Sequence, residues 1–540
     1  MHKAVSLFTF AVAAIIAAWW WLGRPVMLPP SPLGANEKLA CVSYAPFRDA
    51  QSPLDLATRI PPEQIEQDLA QLARISECVR TYSVDYGLDR VPDIARKYGL
   101  KVMLGLWVSS HADRTKYQID IGTSLARRFP DVVRAVIVGN EALLRGEVSA
   151  TALADLIRSV KVRVPMPVTY ADVWEFWLRH RELAAAVDFV TVHILPYWED
   201  EPIAAEEAAE HVAAIRKHVA AAFPGKEVAI GEVGWPSAGR MRAGARPSPA
   251  NQARVVQDIL ARAKRDGFRV NVIEAFDQPW KRYQEGTVGG HWGLFDNSAR
   301  APKFVLGGRV SDHPHWQAMA SAGVALAFAA FAGALVTLRR RQRVPGLAAW
   351  GAIALGAAAG GILLGLSLEQ AAIESFGMGG WLRSLAWVGV ALAAPVVASA
   401  ALAGSVAVPD FAAVIGSRDR RTRDPLALAL GLVAVAVAVL ALQSALALAF
   451  DPRYRDFPFA PLTGAALPLM LASLLAPAAR GRPALAESTA AATLLLCAIA
   501  IVWNEGWANW QAMWFAGGLL LLAVTLLRAR AARDSESATP

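Results

Sequence analysis

The chain has 540 residues, 55% of them hydrophobic and only 19% charged, with a formal net charge of +8. That mixture excludes a disordered chain and is too apolar for an ordinary soluble enzyme. Residues 36–310 carry 36 Lys+Arg and 34 Asp+Glu, whereas the remaining residues carry 18 and 12. Most of the net positive charge therefore flanks apolar runs and does not argue for nucleic acid as a partner.

Residues 5–22 contain no charge and follow Lys3. Trp19-Trp20-Trp21 gives interfacial aromatics ahead of Arg24-Pro25, with no A-x-A cleavage site, so the segment reads as an uncleaved anchor rather than a signal peptide. Residues 1–35 are then an anchor and linker.

Between residues 39 and 276, short β-branched runs alternate with amphipathic stretches. Strands are predicted at 40–44, 78–82, 102–107, 135–138, 168–170, 189–193, 228–230 and 270–276, with helices between them, for example at 63–75 and 150–162. Such alternation argues for a parallel sheet. Eight units within 36–310 suit an α/β fold of the (β/α)8 TIM-barrel type. The alternative is an open doubly wound sheet, but no G-x-G-x-x-G follows any strand.

Cys41 and Cys78 take matching places in two strands. They could form a disulfide in an oxidising compartment or remain two buried thiols. Cys497 falls within a later apolar run.

The chemistry of such a barrel sits at the C-terminal ends of its strands. Those ends carry Tyr44 and Arg48, Arg80 and Tyr82, Trp107, Asn140-Glu141, His193 and Tyr197, Glu232 and Trp235, then Glu274, Phe276, Trp280 and Lys281. Glycoside hydrolysis needs one protonated and one ionised carboxyl group flanking the bond between sugars, and aromatic rings suit sugar faces. Glu141 and Glu232 each directly follow an apolar strand and are the candidates. A lone glutamate in such a place is otherwise a solvated loop charge. A carboxyl separation of about 5–5.5 Å is expected, with the Glu141 pKa raised by burial and by Glu232. His193 has no second ligand at metal spacing, so a hydrogen-bonding or core role is expected, with no metal and no cofactor.

Seven further apolar stretches follow, near 316–338, 346–366, 381–403, 426–450, 461–478, 488–503 and 510–527. Loops on one side contain Arg339, Arg340, Arg341, Arg343, Arg418, Arg420, Arg421, Arg423, Arg480, Arg482, Arg528, Arg530 and Arg533. Those on the other contain Arg453 and Arg455, with Arg383 near a span edge. The positive-inside rule then places the C-terminus in the cytoplasm and 36–310 outside it. Residues 311–528 are expected to form a helical domain in contact with membrane lipid, and 529–540 a cytoplasmic tail. The near absence of ionisable residues within these spans favours an anchor or scaffold over an ion-coupled pathway.

Val138-Gly-Asn-Glu141, Gly231-Glu232-Val-Gly-Trp-Pro-Ser237 and His291-Trp-Gly-Leu-Phe295 resemble signatures of glycoside hydrolase family 17, the β-1,3-glucanase and glucanosyltransferase family. The resemblance covers residues 40–304. It implies a (β/α)8 barrel and retention of configuration, with Glu141 as acid/base and Glu232 as nucleophile. It further implies that Asn140 bonds the sugar 2-hydroxyl, that Tyr197 lies near the nucleophile and that Lys281 matches a lysine after strand eight. Gln278 stands where many plant members carry a glutamate, and Gly289-Gly290 where they carry another acid. The auxiliary acidic cluster is thus reduced unless Glu274 or Asp277 substitutes.

Segments around Tyr44–Arg48, His193–Glu199 and Glu274–Lys281 resemble a membrane-bound bacterial branch often labelled β-(1,6)-glucan synthase, which implies the inner membrane and a periplasmic barrel. The chain has no D-x-D, Q-x-x-R-W or P-loop. Any synthesis is therefore expected to be transglycosylation on an existing β-glucan oligo- or polysaccharide, with endo-β-1,3-glucanase action as the alternative. A non-catalytic glucan-binding or export-assisting protein is the reading from another class. A separate glucan-polymerising glycosyltransferase is the partner suggested by the family's biology.

Overall fold

The computed structural model describes residues 2–342, 345–416, 424–475 and 482–531. Arg343, Arg418, Arg420, Arg421, Arg423, Arg480 and Arg533 lie outside those residues, as do most of the expected tail and the end of the stretch expected at 461–478. The chain forms two compact units, one being Val26–Val310 and the other Met1–Pro25 with Ser311–Pro540. Residues 26–35, expected as a linker, begin the first unit, where Val26–Met27 pairs antiparallel with Arg309–Val310.

In the first unit eight parallel strands close a barrel: β1 (Cys41–Ser43), β2 (Cys78–Arg80), β3 (Lys101–Leu106), β4 (Val133–Asn140), β5 (Val168–Val173), β6 (Val190–His193), β7 (Val228–Val233) and β8 (Val270–Val272). Each lies where a β-branched run predicts a strand. Val42 faces Val79 on one side and Val272 on the other. That closure leaves no sheet edge and excludes the open doubly wound sheet. In β4 only Arg134 is exposed, as expected of a strand covered on both faces.

The first seven strands are each followed by a helix: α1 (Pro62–Leu72), α2 (Val91–Lys97), α3 (Ala112–Arg128), α4 (Ala150–Lys161), α5 (Trp174–Arg179), α6 (Ala208–Ala222) and α7 (Pro249–Asp266). α7 shows the local logic. The Ser248 hydroxyl caps it by accepting the Asn251 N–H, Pro249 opens it, and Gly267 closes it in the left-handed region. Ala253, Val256, Leu260 and Ala263 are buried at helical spacing.

The eighth unit departs from expectation. β8 stops at Val272, and a turn at Pro279–Lys281 leads into a short helix, Arg282–Gly289, broken at Gly286. Proline and clustered glycines there disfavour a long helix. The expected end of the strand pairs instead with the His291-Trp-Gly-Leu-Phe295 segment. The Leu294 N–H donates to the Glu274 carbonyl at 2.8 Å, and Phe276 bridges Phe295.

The strand register puts Cys41 opposite Cys78, with Cα atoms 4.4 Å apart, and the two form a disulfide rather than two thiols.

Among the described residues, the other unit contains seven helices long and apolar enough to cross a membrane: His2–Leu22, Trp316–Arg341, Leu347–Glu374, Gly377–Gly404, Pro425–Phe450, Leu485–Glu505 and Trp510–Leu527. The eighth expected span is a shorter apolar helix, Phe459–Leu475, with Pro468 inside it. Small residues let these helices approach. A Cβ on Gly323 would lie 2.4 Å from the Gly361 carbonyl oxygen, a backbone contact open only to glycine.

The disulfide closes a sequence separation of 37 residues. Cys78→Ser should lower the unfolding free energy by about 2–4 kcal/mol, measured by denaturant unfolding of the full chain. Peptide mapping without reductant should return Cys41 linked to Cys78; free thiols at both positions would contradict the pairing.

Candidate active site

The mouth of the barrel begins at the end of β4. Gly139 has φ +89°, and a Cβ there would meet the Tyr170 ring at 3.3 Å, so glycine suits the position on both counts. Glu141 follows with φ +54°, a region that costs a non-glycine residue about 1–3 kcal/mol. Bonds to β5 hold this turn. The Glu141 N–H donates to the Ala171 carbonyl at 2.8 Å, and the Leu143 N–H donates to the Tyr170 hydroxyl at 3.0 Å. That hydroxyl in turn donates to Asp172. Arg145 donates to the carbonyls of Asn140 and Val108.

Across the barrel, β6 and β7 place His193 opposite Glu232. The Glu232 Oε1 accepts from Arg80 Nη1 and from the Tyr82 hydroxyl, each at 2.9 Å. Arg80 also donates to the Gly231 carbonyl at 2.7 Å and to Asn140 Oδ1. His193 Nδ1 lies 2.8 Å from Glu141 Oε1, and its Nε2 lies 3.6 Å from Glu232 Oε1. One oxygen of Glu141 and one of Glu232 lie within 4.8 Å of each other. The Glu232 side chain is 6% exposed and that of Glu141 24%, so solvent reaches the second more readily.

Glu141, His193 and Glu232 are close enough together to suggest a cation site. The donor set fits one poorly. Arg80 puts a permanent positive charge 2.9 Å from Glu232 and donates to His193 Nε2 at 3.4 Å, which opposes a cation and occupies the lone pair it would need.

The charges around the two glutamates do not all follow expectation. Burial pushes the Glu141 carboxyl up, but the His193 hydrogen bond and the positive charges of Arg145 and Arg80 outweigh it, so it sits below the usual range. The expected upward shift is thereby corrected, because burial brings cationic and donor groups closer than the like charge of Glu232 can offset. Burial lifts Glu274 to about 7 despite Lys281, whose Nζ lies 3.0 Å from both of its oxygens. Burial likewise lifts Asp172 to about 6, helped by the charge of Glu141. Asp277 sits low because Lys303 and His291 outweigh its burial. Of the two candidate substitutes for the missing auxiliary acid, Glu274 pairs with Lys281, while Asp277 bonds Lys303.

The predicted residues divide into groups. Arg80 and Tyr82 bond Glu232 and His193 bonds Glu141, while Asn140 is joined to them through Arg80. Lys281 lies within the field of Glu232, and Tyr82 within that of Glu274. Trp107 is half-buried under Arg145, whose guanidinium lies 4.2 Å from the ring centroid. Trp280 is half-buried and donates to Gln278. Tyr44, Arg48 and Phe276 belong to a different cluster. Tyr44 and Arg48 bond the buried Asp68, which also meets Arg300, and Arg300 covers the Phe276 ring at 3.8 Å. Tyr197 and Trp235 are fully buried and donate to the carbonyls of Arg240 and Arg246. A tyrosine hydroxyl does reach Glu232, from Tyr82.

Sequence reasoning missed Tyr170, Asp172, Arg145 and Glu285. The last feels the charges of Lys281, Glu141 and Glu232. Asp172 was discoverable, since β5 runs past the apolar residues that suggested it. Glu285 was not, because it sits in a broken helix after the last strand.

Residues 41–293 match the BtgE/BtgC glycoside hydrolase domain. A probable β-glucosidase, btgE, of Aspergillus fumigatus is 30% identical over 226 residues, covering 40% of this chain and 39% of that protein. The chain thus spans about two fifths of that relative's length. A glucan 1,3-β-glucosidase of Arthroderma benhamiae is 29% identical over 259 residues, covering 44% of this chain and 82% of that protein. Among solved structures, a glycoside hydrolase family 17 β-1,3-glucanosyltransferase from Rhizomucor miehei is similar with a TM-score of 0.44. It is 25% identical, with 50% of this chain and 97% of that one covered.

Glu274 and Asp172 are both raised, so the folded chain holds their protons at pH values where the unfolded chain has released them. Their contribution is present below about pH 4 and is lost as pH rises through about 6 for Asp172 and about 7 for Glu274. Unfolding free energy should therefore fall over that window. Asp172→Asn should remove the lower part of the slope in pH-dependent denaturation; an unchanged slope would contradict the assignment.

Proposed function

We propose that the barrel is a retaining, β-glucan-active glycosidase working chiefly as a transglycosylase, with Glu232 as nucleophile and Glu141 as acid/base. The observation that carries this reading is the pair of carboxylate oxygens within 4.8 Å, brought together from the ends of β4 and β7. Such closeness suits direct attack by one carboxylate and leaves too little room for the water that an inverting mechanism places between the two. The matched glycoside hydrolase domain and the glucosidase names of the relatives support the same chemistry.

The hydrogen bonds suggest how the parts divide the work. Arg80 and Tyr82 both occupy Glu232 Oε1, which leaves Oε2 to attack the anomeric carbon. Glu141 gives its proton to the departing sugar oxygen, and a glucosyl ester forms on Glu232. In the second step Glu141, now ionised, takes the proton of an acceptor hydroxyl, and that oxygen displaces Glu232. A sugar acceptor gives transfer, and its 6-hydroxyl would give a β-1,6 branch; water gives hydrolysis. Asn140 presents its oxygen to Arg80, so its amide hydrogens remain for the sugar 2-hydroxyl. A Glu141 carboxyl held low is scarce as an acid at neutral pH and abundant as the base of the second step. Turnover should therefore favour acidic conditions.

The chain is further read as a multi-pass inner-membrane protein with its barrel on the periplasmic side. Arg339, Arg340, Arg341 and Arg528 close apolar helices at one end, as the positive-inside rule asks of cytoplasmic loops. Exposed Trp20, Trp21, Trp503 and Trp507 sit at opposite helix ends, as in an interfacial belt. The Cys41–Cys78 disulfide suits an oxidising compartment. A glucan-polymerising glycosyltransferase remains the expected partner.

Incubation of the full chain in detergent with laminari-oligosaccharides, with products resolved by mass and linkage, tests this reading. Longer or branched products are expected. Shorter products alone would make the protein a hydrolase, and binding without turnover would make it a glucan-binding protein. Glu232→Gln should lower kcat by about a thousandfold or more with the fold retained; near-normal turnover would reject the assignment.

A further inference from the structure

The geometry points to His193 as a positioning residue for Glu141: Arg80 fixes the imidazole as its Nδ1–H tautomer, and that N–H pins Glu141 Oε1, leaving Oε2 to pass the proton to the sugar oxygen. This rests on Glu141 being the acid/base.

A guanidinium can only donate. Arg80 Nη2 lies 3.4 Å from His193 Nε2, so that ring nitrogen accepts. A neutral imidazole that accepts at Nε2 carries its hydrogen on Nδ1, and Nδ1 lies 2.8 Å from Glu141 Oε1. The ring cannot readily turn away. The His193 side chain has no solvent exposure, and a Cβ on Gly231 would lie 3.1 Å from its Cδ2. The same burial keeps it from substrate, so it acts through Glu141 and does not belong among the substrate-binding residues.

Arg80 thus addresses both carboxylates, Glu232 directly and Glu141 through the imidazole. The other groups facing Glu141 are Asp172 on β5, Glu232 on β7, Arg145 on its own turn and Glu285 on the Arg282–Gly289 segment. Among the described residues, none of these holds an oxygen of Glu141 by a side-chain hydrogen bond, as His193 does.

The test compares wild type, His193→Ala and His193→Asn as full chains on two substrates. One is a laminari-oligosaccharide, whose leaving oxygen needs a proton. The other is 2,4-dinitrophenyl β-laminaribioside, whose phenolate leaves without one. In His193→Ala the alkaline limb of kcat/KM should move up by about one pH unit. The rate on the oligosaccharide should fall about tenfold or more, and that on the aryl substrate less than about threefold. Asparagine, whose amide N–H takes the place of Nδ1–H, should restore most of the loss. Equal losses on both substrates with an unmoved limb would reduce His193 to packing. A wild-type chain inactive on both would overturn the acid/base reading beneath it.

Discussion

The mouth of the barrel is organised around one buried positive charge. The Arg80 side chain is 1% exposed, yet it bonds the Gly231 carbonyl, Glu232, Asn140 and the His193 ring, and its guanidinium lies 4.7 Å from the Tyr82 ring centroid. Removing a guanidinium from water costs several kcal/mol, and only well-placed acceptors offset it. The strand register supplies them. β4 offers the Asn140 oxygen, β6 the His193 ring, and β7 both the Gly231 carbonyl and Glu232, so none of these strand ends could shift against β2 without leaving a buried charge or donor unpaired. The proposed nucleophile, acid/base and sugar-binding amide thus share one electrostatic anchor.

That arrangement works against the ordinary effect of burial. A carboxyl group in a closed cleft usually becomes harder to ionise, as Glu274 and Asp172 do here. Glu141 moves the other way because the imidazole and two guanidinium groups reach it. Three acids within one barrel mouth therefore hold protons over different pH ranges, and the difference comes from their immediate donors and charges.

The backbone at Glu141 adds a second constraint. A glutamate in the left-handed region persists only when its neighbours fix it. Here β5 does so through Ala171, Tyr170 and Asp172, while Arg145 ties the turn to Val108. These bonds hold the carboxylate at the site at a cost in backbone strain, as is common where function needs one defined geometry.

Much of this was legible in the chain itself. Local patterns record what covers a residue: β-branched runs of a few residues mark strands buried on both faces, and long uncharged runs mark helices that suit lipid. Hence the eight strands, the apolar helices and the location of Glu141 and Glu232 at strand ends followed from sequence. The short, broken eighth outer helix was also written there, in Pro279, Gly286 and Gly289-Gly290, though alternation suggested a longer one. Tertiary structure decided that the Tyr82 hydroxyl bonds Glu232, that Tyr44 and Arg48 turn to Asp68, and the sign of the shift at Glu141. Those outcomes depend on distances between residues far apart in the chain. Coulombic and hydrogen-bond energies change steeply over a few ångströms, and no local pattern encodes such distances.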